Sequence, residues 1–92
     1  MSAPPPRPPR YAPHPEVLVT DLGDELVLLH TLSSQMYGLN PVARSVWQRL
    51  PASGPELLAL VLEEYEVAPE QAAEDLKALL DDLERLDMVQ PA

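Results

Sequence analysis

The side chains available for chemistry in this chain are two histidines and fifteen acidic residues, and the sequence contains no cysteine. His14 stands in a proline-rich segment and His30 in a predicted strand, and neither has a partner at a spacing typical of metal ligands or of a catalytic base. The sequence has no glycine-rich phosphate loop and no nucleophile elbow. We therefore expect a binding protein that has no catalytic activity, no cofactor and no metal.

The residues from Met36 to Leu50 are the most informative for binding, because an extended apolar segment leads there directly into a helix. Asn40 suits the N-cap and Pro41 the first helical position, where the missing N–H of proline would have no partner in any case. The helix therefore begins where the strand ends. A strand held in this way can keep one edge free, and an extended peptide can add to such an edge through backbone hydrogen bonds.

Extended segments and turn residues predict the sheet that contains this edge. Val17–Thr20, Glu25–Thr31 and Gln35–Leu39 are apolar segments separated by turn residues, which predicts a three-stranded antiparallel meander. Gly38 indicates either a bulge or a loss of strand propensity, or else the close approach of another backbone. Tyr37 packs either onto the helices or towards the bound peptide.

Three helices are predicted after the strands, which gives an α+β fold. The first spans Val42 to Leu50, the second begins at a capping box of Ser53 and Glu56, and the third is opened by Pro69. Residues 16–90 are the predicted domain. Residues 1–15 hold seven of the twelve prolines, so we expect a flexible proline-rich tail there.

Charge and hydropathy exclude two classes of partner. The formal net charge is −9 and Lys77 is the single lysine, whereas a duplex-binding surface needs basic residues to neutralise phosphates. No apolar run approaches the roughly 20 residues that span a bilayer. We expect no binding to nucleic acid or membrane, and the absence of cysteine is typical of the reducing cytoplasm.

The third predicted helix carries an apolar stripe that is broad enough to line a groove beside the third strand as well as the core. Burial in the core is favoured for Leu76 and Leu83. For Leu79, Leu80 and Leu86 the pattern does not distinguish between the core and the groove. Two carboxylates flank the stripe and are candidates for contacts at the rim. The predicted peptide-binding residues are Gln35, Met36, Tyr37, Gly38, Leu39, Asp75, Leu76, Leu79, Leu80, Asp82, Leu83 and Leu86.

This order of elements, with Tyr37-Gly38-Leu39-Asn40 followed by Val46-Trp47, resembles the PqqD-like family of peptide-recognition domains. The likeness runs from about residue 16 to residue 89. It implies a winged helix-turn-helix-like domain that binds the leader segment of ribosomally made precursor peptides. In this family the leader adds a strand to the third β-strand and lays its side chains against the last helix.

Two residues depart from the family pattern. Ser33-Ser34 stands where relatives usually carry Thr-Gly, and Asp87 stands where a glycine commonly closes the third helix. Glycine tolerates a positive φ better than serine or aspartate does, so we expect a looser second turn and a looser helix end.

Among the branches of the family, the chain looks most like the free-standing recognition protein of bacterial lasso-peptide pathways. This resemblance implies a non-catalytic adaptor whose partners are a precursor leader peptide, a leader protease and an ATP-dependent cyclase. One alternative is a chaperone for a quinone-cofactor precursor peptide. Others are a winged-helix DNA-binding regulator, which the negative charge argues against, and a generic oligomerisation module.

Overall fold

The computed structural model describes residues 9–92, which form two small antiparallel sheets and three helices. The α+β class is thereby confirmed, while the winged-helix likeness stays a prediction. Within residues 9–92, no helix has the length and apolar character needed to cross a bilayer. The elements are β1 (Arg10–Pro13), β2 (Val17–Asp21), β3 (Leu26–His30), β4 (Met36–Leu39), α1 (Pro41–Arg49), β5 (Ala52–Ser53), α2 (Gly54–Glu64), α3 (Pro69–Arg85) and β6 (Val89–Pro91).

The predicted meander is confirmed, with the strands in the order β2-β3-β4. Pairing between β3 and β4 is continuous, and Gly38 lies opposite Val27 without an extra residue on either strand. The bulge considered for Gly38 is therefore wrong. A side chain at Gly38 would meet nothing within 4 Å, so the position is open on that side.

The first two helices begin at the predicted caps. The Asn40 side chain accepts a hydrogen bond from the Ala43 N–H at 2.9 Å, and Pro41 is the first residue of α1. At α2, the Ser53 hydroxyl accepts from the Glu56 N–H at 3.3 Å and donates to the Glu56 carboxylate at 3.1 Å. These bonds satisfy N–H groups that a helix leaves unpaired at its start, so local sequence fixes both starting points.

The core consists of two clusters of buried side chains. The first joins the β2-β3-β4 sheet to the end of α3 and contains Leu26, Leu28, Leu39, Trp47, Leu83, Met88 and Val89. The second lies among the three helices and β5 and contains Val46, Ala52, Leu57, Val61, Ala72, Leu76 and Leu80. Tyr11, Leu50 and Leu79 pack against both clusters and join them.

The two departures from the family pattern do not loosen the fold. Ser34 and Asp87 adopt φ values of 63° and 57°, in the left-handed region where glycine is usual. The Ser34 N–H bonds the His30 carbonyl at 2.8 Å. At the end of α3 the Asp87 N–H bonds the Glu84 carbonyl, and the next N–H bonds the Leu83 carbonyl at 2.8 Å, which is the Schellman pattern. The expected looser turn and helix end are therefore wrong.

The predicted tail over residues 1–15 differs from the structure, because Arg10–Pro13 form strand β1. Strand β1 lies between β5 and β6, with Tyr11 opposite both Ala52 and Pro91. The strand forms because Tyr11 packs against both core clusters and because Pro13 stands at its end, where a missing donor is tolerated. The rest of the predicted tail, residues 1–8, lies outside the described residues.

A chain that begins at residue 16 should be less stable than one that begins at residue 9, by at least about 2 kcal/mol. The shorter chain loses Tyr11 from both clusters and exposes the buried Ala52 and Val89. Urea unfolding of the two chains measures the difference, which isolates β1 and the loop after it. As a control, Arg10→Ala keeps β1 and removes an exposed ion pair with Glu56 and an exposed hydrogen bond to the Pro51 carbonyl, so it should cost about 1 kcal/mol or less. If the two chains are equally stable, β1 does not contribute to the stability of the domain and residues 10–13 belong to the tail.

Candidate functional site

A groove of about 420 Å³ lies between β4 and the three helices. It follows the line where the two core clusters meet, and buried side chains such as Val46, Val61 and Leu76 form its apolar floor. Strand β4 contributes Tyr37 and Gly38 to the lining. Helix α3 contributes Ala72, Asp75, Leu76, Ala78, Leu79 and Asp82.

Strand β4 forms the free edge of its sheet, next to this groove. Among the described residues β4 pairs with β3 alone. The His30 N–H bonds the Gln35 carbonyl at 2.9 Å, and in an antiparallel ladder every second pair is hydrogen-bonded in this way. In the observed register Tyr37 and Leu39 therefore bond β3, while the N–H and C=O groups of Met36 and Gly38 point away from the sheet.

The Tyr37 side chain crosses from β4 to α3 at one end of the groove. Its hydroxyl donates to Asp82 Oδ2 at 3.0 Å, and Arg85 donates to the other carboxylate oxygen at 3.2 Å. The hydrogen bonds from Arg85 and Tyr37 lower the pKa of Asp82. Burial, together with the bond to Asp82, raises the pKa of Tyr37. Tyr37 packs against the first core cluster and also lines the groove, while its contact with a bound peptide stays a prediction.

The two charged side chains of residues 9–92 that line the groove are both acidic. Asp75 lines the groove and accepts a hydrogen bond from Gln71 at 2.8 Å. Asp82 also lines the groove and lies about two helical turns further along α3. Tyr65 also lines the groove, and its hydroxyl lies 2.8 Å from the Ser45 hydroxyl. No lysine or arginine lines the groove among the described residues. The site can therefore offer backbone pairing, apolar contacts and attraction for a positive charge.

The sequence places the chain in a known family. Residues 25–89 match the family model described as "Coenzyme PQQ synthesis protein D (PqqD)". The chain belongs to the PqqD family. No curated protein sequence matches this PqqD-family chain.

Two solved structures resemble the fold of this PqqD-family chain. The structure of TbiB1 in complex with the TbiA(beta) leader peptide is 25% identical in sequence, with a TM-score of 0.78 over 86% of this chain and 94% of that chain. The structure of lasso peptide synthetase B1 complexed with its leader peptide is 30% identical, with a TM-score of 0.75 over 88% of this chain and 98% of that chain. Both therefore match nearly their whole length.

The structure brings half of the predicted site residues of this PqqD-family chain to the groove. The residues that line it are Tyr37, Gly38, Asp75, Leu76, Leu79 and Asp82. Two others lie nearby on the strand side: Met36 is 64% exposed at the free edge, and Gln35 is exposed just before β4.

Leu39, Leu80 and Leu83 are corrected from groove to core, since all three are buried in the two clusters. Leu86 is half-buried against the first cluster and does not line the groove either. Successive helical residues differ by about 100° in direction, so Leu80 points inward although its neighbour Leu79 reaches the groove.

Sequence reasoning missed the part of the groove that α1, α2 and the segment after α2 provide, and it also missed two alanines of α3. The missed residues are Asn40, Val42, Ala43, Val46, Val61, Tyr65, Val67, Ala72 and Ala78. An apolar residue such as Val42, which is 36% exposed, at the start of a capped helix was an available signal. Which residues face each other across the groove depends on how the helices pack, and the local sequence pattern does not contain this information.

Replacement of Tyr37 by phenylalanine should raise the pKa of Asp82 towards its ordinary value, because one of its two hydrogen-bond donors is lost while Arg85 remains. A carboxyl whose folded-state pKa is lowered adds stability above its unfolded pKa of 3.8, and this stability is lost as the pH falls through the folded pKa. The acid-induced loss of stability should therefore be smaller in Tyr37→Phe.

Carboxyl NMR titration measures the pKa of Asp82, and urea unfolding across the same pH range measures the stability. Tyr65→Phe is the matched control, since its hydroxyl contacts Ser45 and Pro41 and not Asp82. If the pKa of Asp82 does not change in Tyr37→Phe, the hydrogen bond from Tyr37 on β4 to Asp82 on α3 is contradicted.

Proposed function

We propose that this protein is a non-catalytic adaptor that binds the leader segment of a ribosomally made precursor peptide by strand addition at β4. The observation that carries the proposal is the free edge of β4 directly beside the groove. Support comes from the two similar solved structures, each of which is a complex with a leader peptide.

Strand addition uses the backbone groups that β3 leaves free. Met36 and Gly38 present N–H and C=O groups to the outside, and an extended leader pairs with them. Because side chains alternate along a strand, every second leader residue then faces the groove. Apolar leader side chains contact Leu76 and Leu79 there. The backbone supplies affinity and the groove supplies selectivity.

The charge of the groove favours a leader with a basic residue near its apolar positions. Asp75 and Asp82 lie in the lining, and the whole chain carries a formal charge of −9. Opposite charge on the leader accelerates association and disfavours acidic competitors. Binding should accordingly weaken as the salt concentration increases.

The adaptor delivers its leader to modifying enzymes, which we take to be a leader protease and an ATP-dependent cyclase of a lasso-peptide pathway in the cytoplasm. The family name leaves a quinone-cofactor precursor as the alternative client. The neighbouring genes distinguish the two: a small precursor gene beside protease and cyclase genes favours the lasso pathway, whereas a radical-type oxidase gene favours the alternative.

Met36→Pro should weaken leader binding about tenfold, which corresponds to about 1.4 kcal/mol. The substitution removes an outward N–H that pairs with the leader but leaves the bonds between β3 and β4 in place, since Met36 does not bond β3. Fluorescence anisotropy with a synthetic leader of the precursor peptide encoded beside this gene measures the affinity.

Val19→Pro is the matched control for this prediction. By the same alternation its N–H points away from β3 at the opposite edge of the sheet, so leader binding should be unchanged. Circular dichroism checks the fold of both variants. If the two variants bind alike, the leader does not add to β4.

Ala78→Glu should weaken leader binding by tenfold or more, about 1.4 kcal/mol, because it places a charged side chain in the apolar groove without touching the core. Ala73→Glu is the control: Ala73 is exposed on the same helix and does not line the groove. If Ala78→Glu binds the leader with wild-type affinity, the groove does not take part in leader binding. A salt-sensitive complex with plain duplex DNA would instead favour the DNA-binding regulator.

A further inference from the structure

The two histidines of the chain lie together in the structure, and Asp87 lies between them. His14 Nε2 and His30 Nε2 are 3.6 and 3.4 Å from the same carboxylate oxygen of Asp87. The potential ligand atoms of the three residues all lie within 4.8 Å of one another. We name this group the His–His–Asp cluster. The chain contains no other histidine and no cysteine, so the cluster gathers every imidazole ligand it has.

The cluster joins three parts of the chain that are distant in sequence. His14 lies in the loop between β1 and β2, and its N–H bonds the Met88 carbonyl at 2.9 Å. His30 is the last residue of β3, and Asp87 follows α3. None of the three lines the groove, so the cluster is a separate feature from the proposed leader site.

His30 provides the observation that points to a ligand. Its side chain is 3% exposed, and within residues 9–92 its Nε2 atom has no hydrogen-bond partner although it lies 3.4 Å from Asp87 Oδ2. Buried polar atoms are nearly always hydrogen-bonded, so an unpaired one calls for a missing partner. Asp87 is 70% exposed on the other side of the cluster, which leaves a path from solvent to this atom.

We propose that the His–His–Asp cluster is a binding site for a divalent transition ion of the Zn²⁺ type, held by His14, His30 and the Asp87 carboxylate. A tetrahedral zinc ion with bonds of about 2.0 Å places its ligand atoms about 3.3 Å apart, close to the two nitrogen–oxygen distances observed. The three ligand atoms span up to 4.8 Å, so the two imidazoles move closer together when the ion binds. Two imidazoles and one carboxylate suit zinc, and solvent occupies the fourth position.

Zinc binding requires a change in the histidine tautomers. The Nδ1 atoms of His14 and His30 accept hydrogen bonds from the backbone N–H groups of Glu16 at 3.0 Å and Leu32 at 3.3 Å. The neutral rings therefore carry their proton on Nε2. When Nε2 binds the ion, the ring proton is carried on Nδ1 instead, and the hydrogen bonds from the Glu16 and Leu32 N–H groups are lost. This exchange weakens the site, and we expect a Kd on the order of 10 µM.

Titration of the full-length, untagged protein with ZnCl₂ after removal of metals by EDTA tests the proposal. Isothermal calorimetry should give one Zn²⁺ per chain, and saturating zinc should raise the Tm by at least about 5 °C, because the ion binds only the folded chain. Co²⁺ should give the visible absorption of a four-coordinate ion. Absence of binding at this affinity would overturn the proposal.

Asp87→Gly and a matched glycine variant separate a metal site from general binding to an acidic surface. Asp87→Gly removes a ligand and suits the left-handed backbone, so the metal-free fold is retained. Ser34→Gly makes the same backbone change at the other left-handed residue and removes no ligand. Zinc affinity should fall at least tenfold in Asp87→Gly and in His14→Ala, and should be unchanged in Ser34→Gly. Wild-type affinity in both ligand variants would mean that zinc binds elsewhere.

Discussion

The constraint on which the site depends is the way β4 is held on one side only. Hydrogen bonds to β3 fix its inner edge, and the Asn40 cap with Pro41 turns the chain into α1 at its end. The chain after Leu39 therefore leaves the sheet and cannot cover the outer edge. Among residues 9–92 the N–H and C=O groups of Met36 and Gly38 stay unpaired for the same reason, and the fold presents them beside an apolar groove.

The groove persists because each of its sides has its own buried cluster, although Tyr11, Leu50 and Leu79 join the two clusters. The helices hold one another through the second core cluster, while β4 is held through the first, and the groove follows the line between them. Tyr37 and Asp82 cross this line with a single hydrogen bond of 3.0 Å. A guest strand can therefore enter without displacing a core side chain, so binding need not carry the free-energy cost of opening the core.

Sequence reasoning was reliable where the signal is local. The caps at Asn40 and Ser53 and the turns between the strands involve residues within a few positions of each other, so their chemistry can be read directly from the chain. It was not reliable where distant segments meet. β1 pairs with residues near the other end of the chain, and the prolines around it argue against a strand in the sequence. Leu79 and Leu80 belong to the same apolar stripe of α3. The packing of the helices decides that Leu79 lines the groove and that Leu80 lies in the core.

Asp87 shows how such a long-range arrangement can use a residue that local rules disfavour. A left-handed backbone costs a non-glycine residue roughly 1–2 kcal/mol, although aspartate bears it better than most. The Schellman bonds after α3 do not need a side chain at this position, since glycine would form them equally well. The carboxylate is thus superfluous for ending the helix. It lies between the only two histidines of the chain, where it would supply the carboxylate ligand of the proposed zinc site, which glycine could not do.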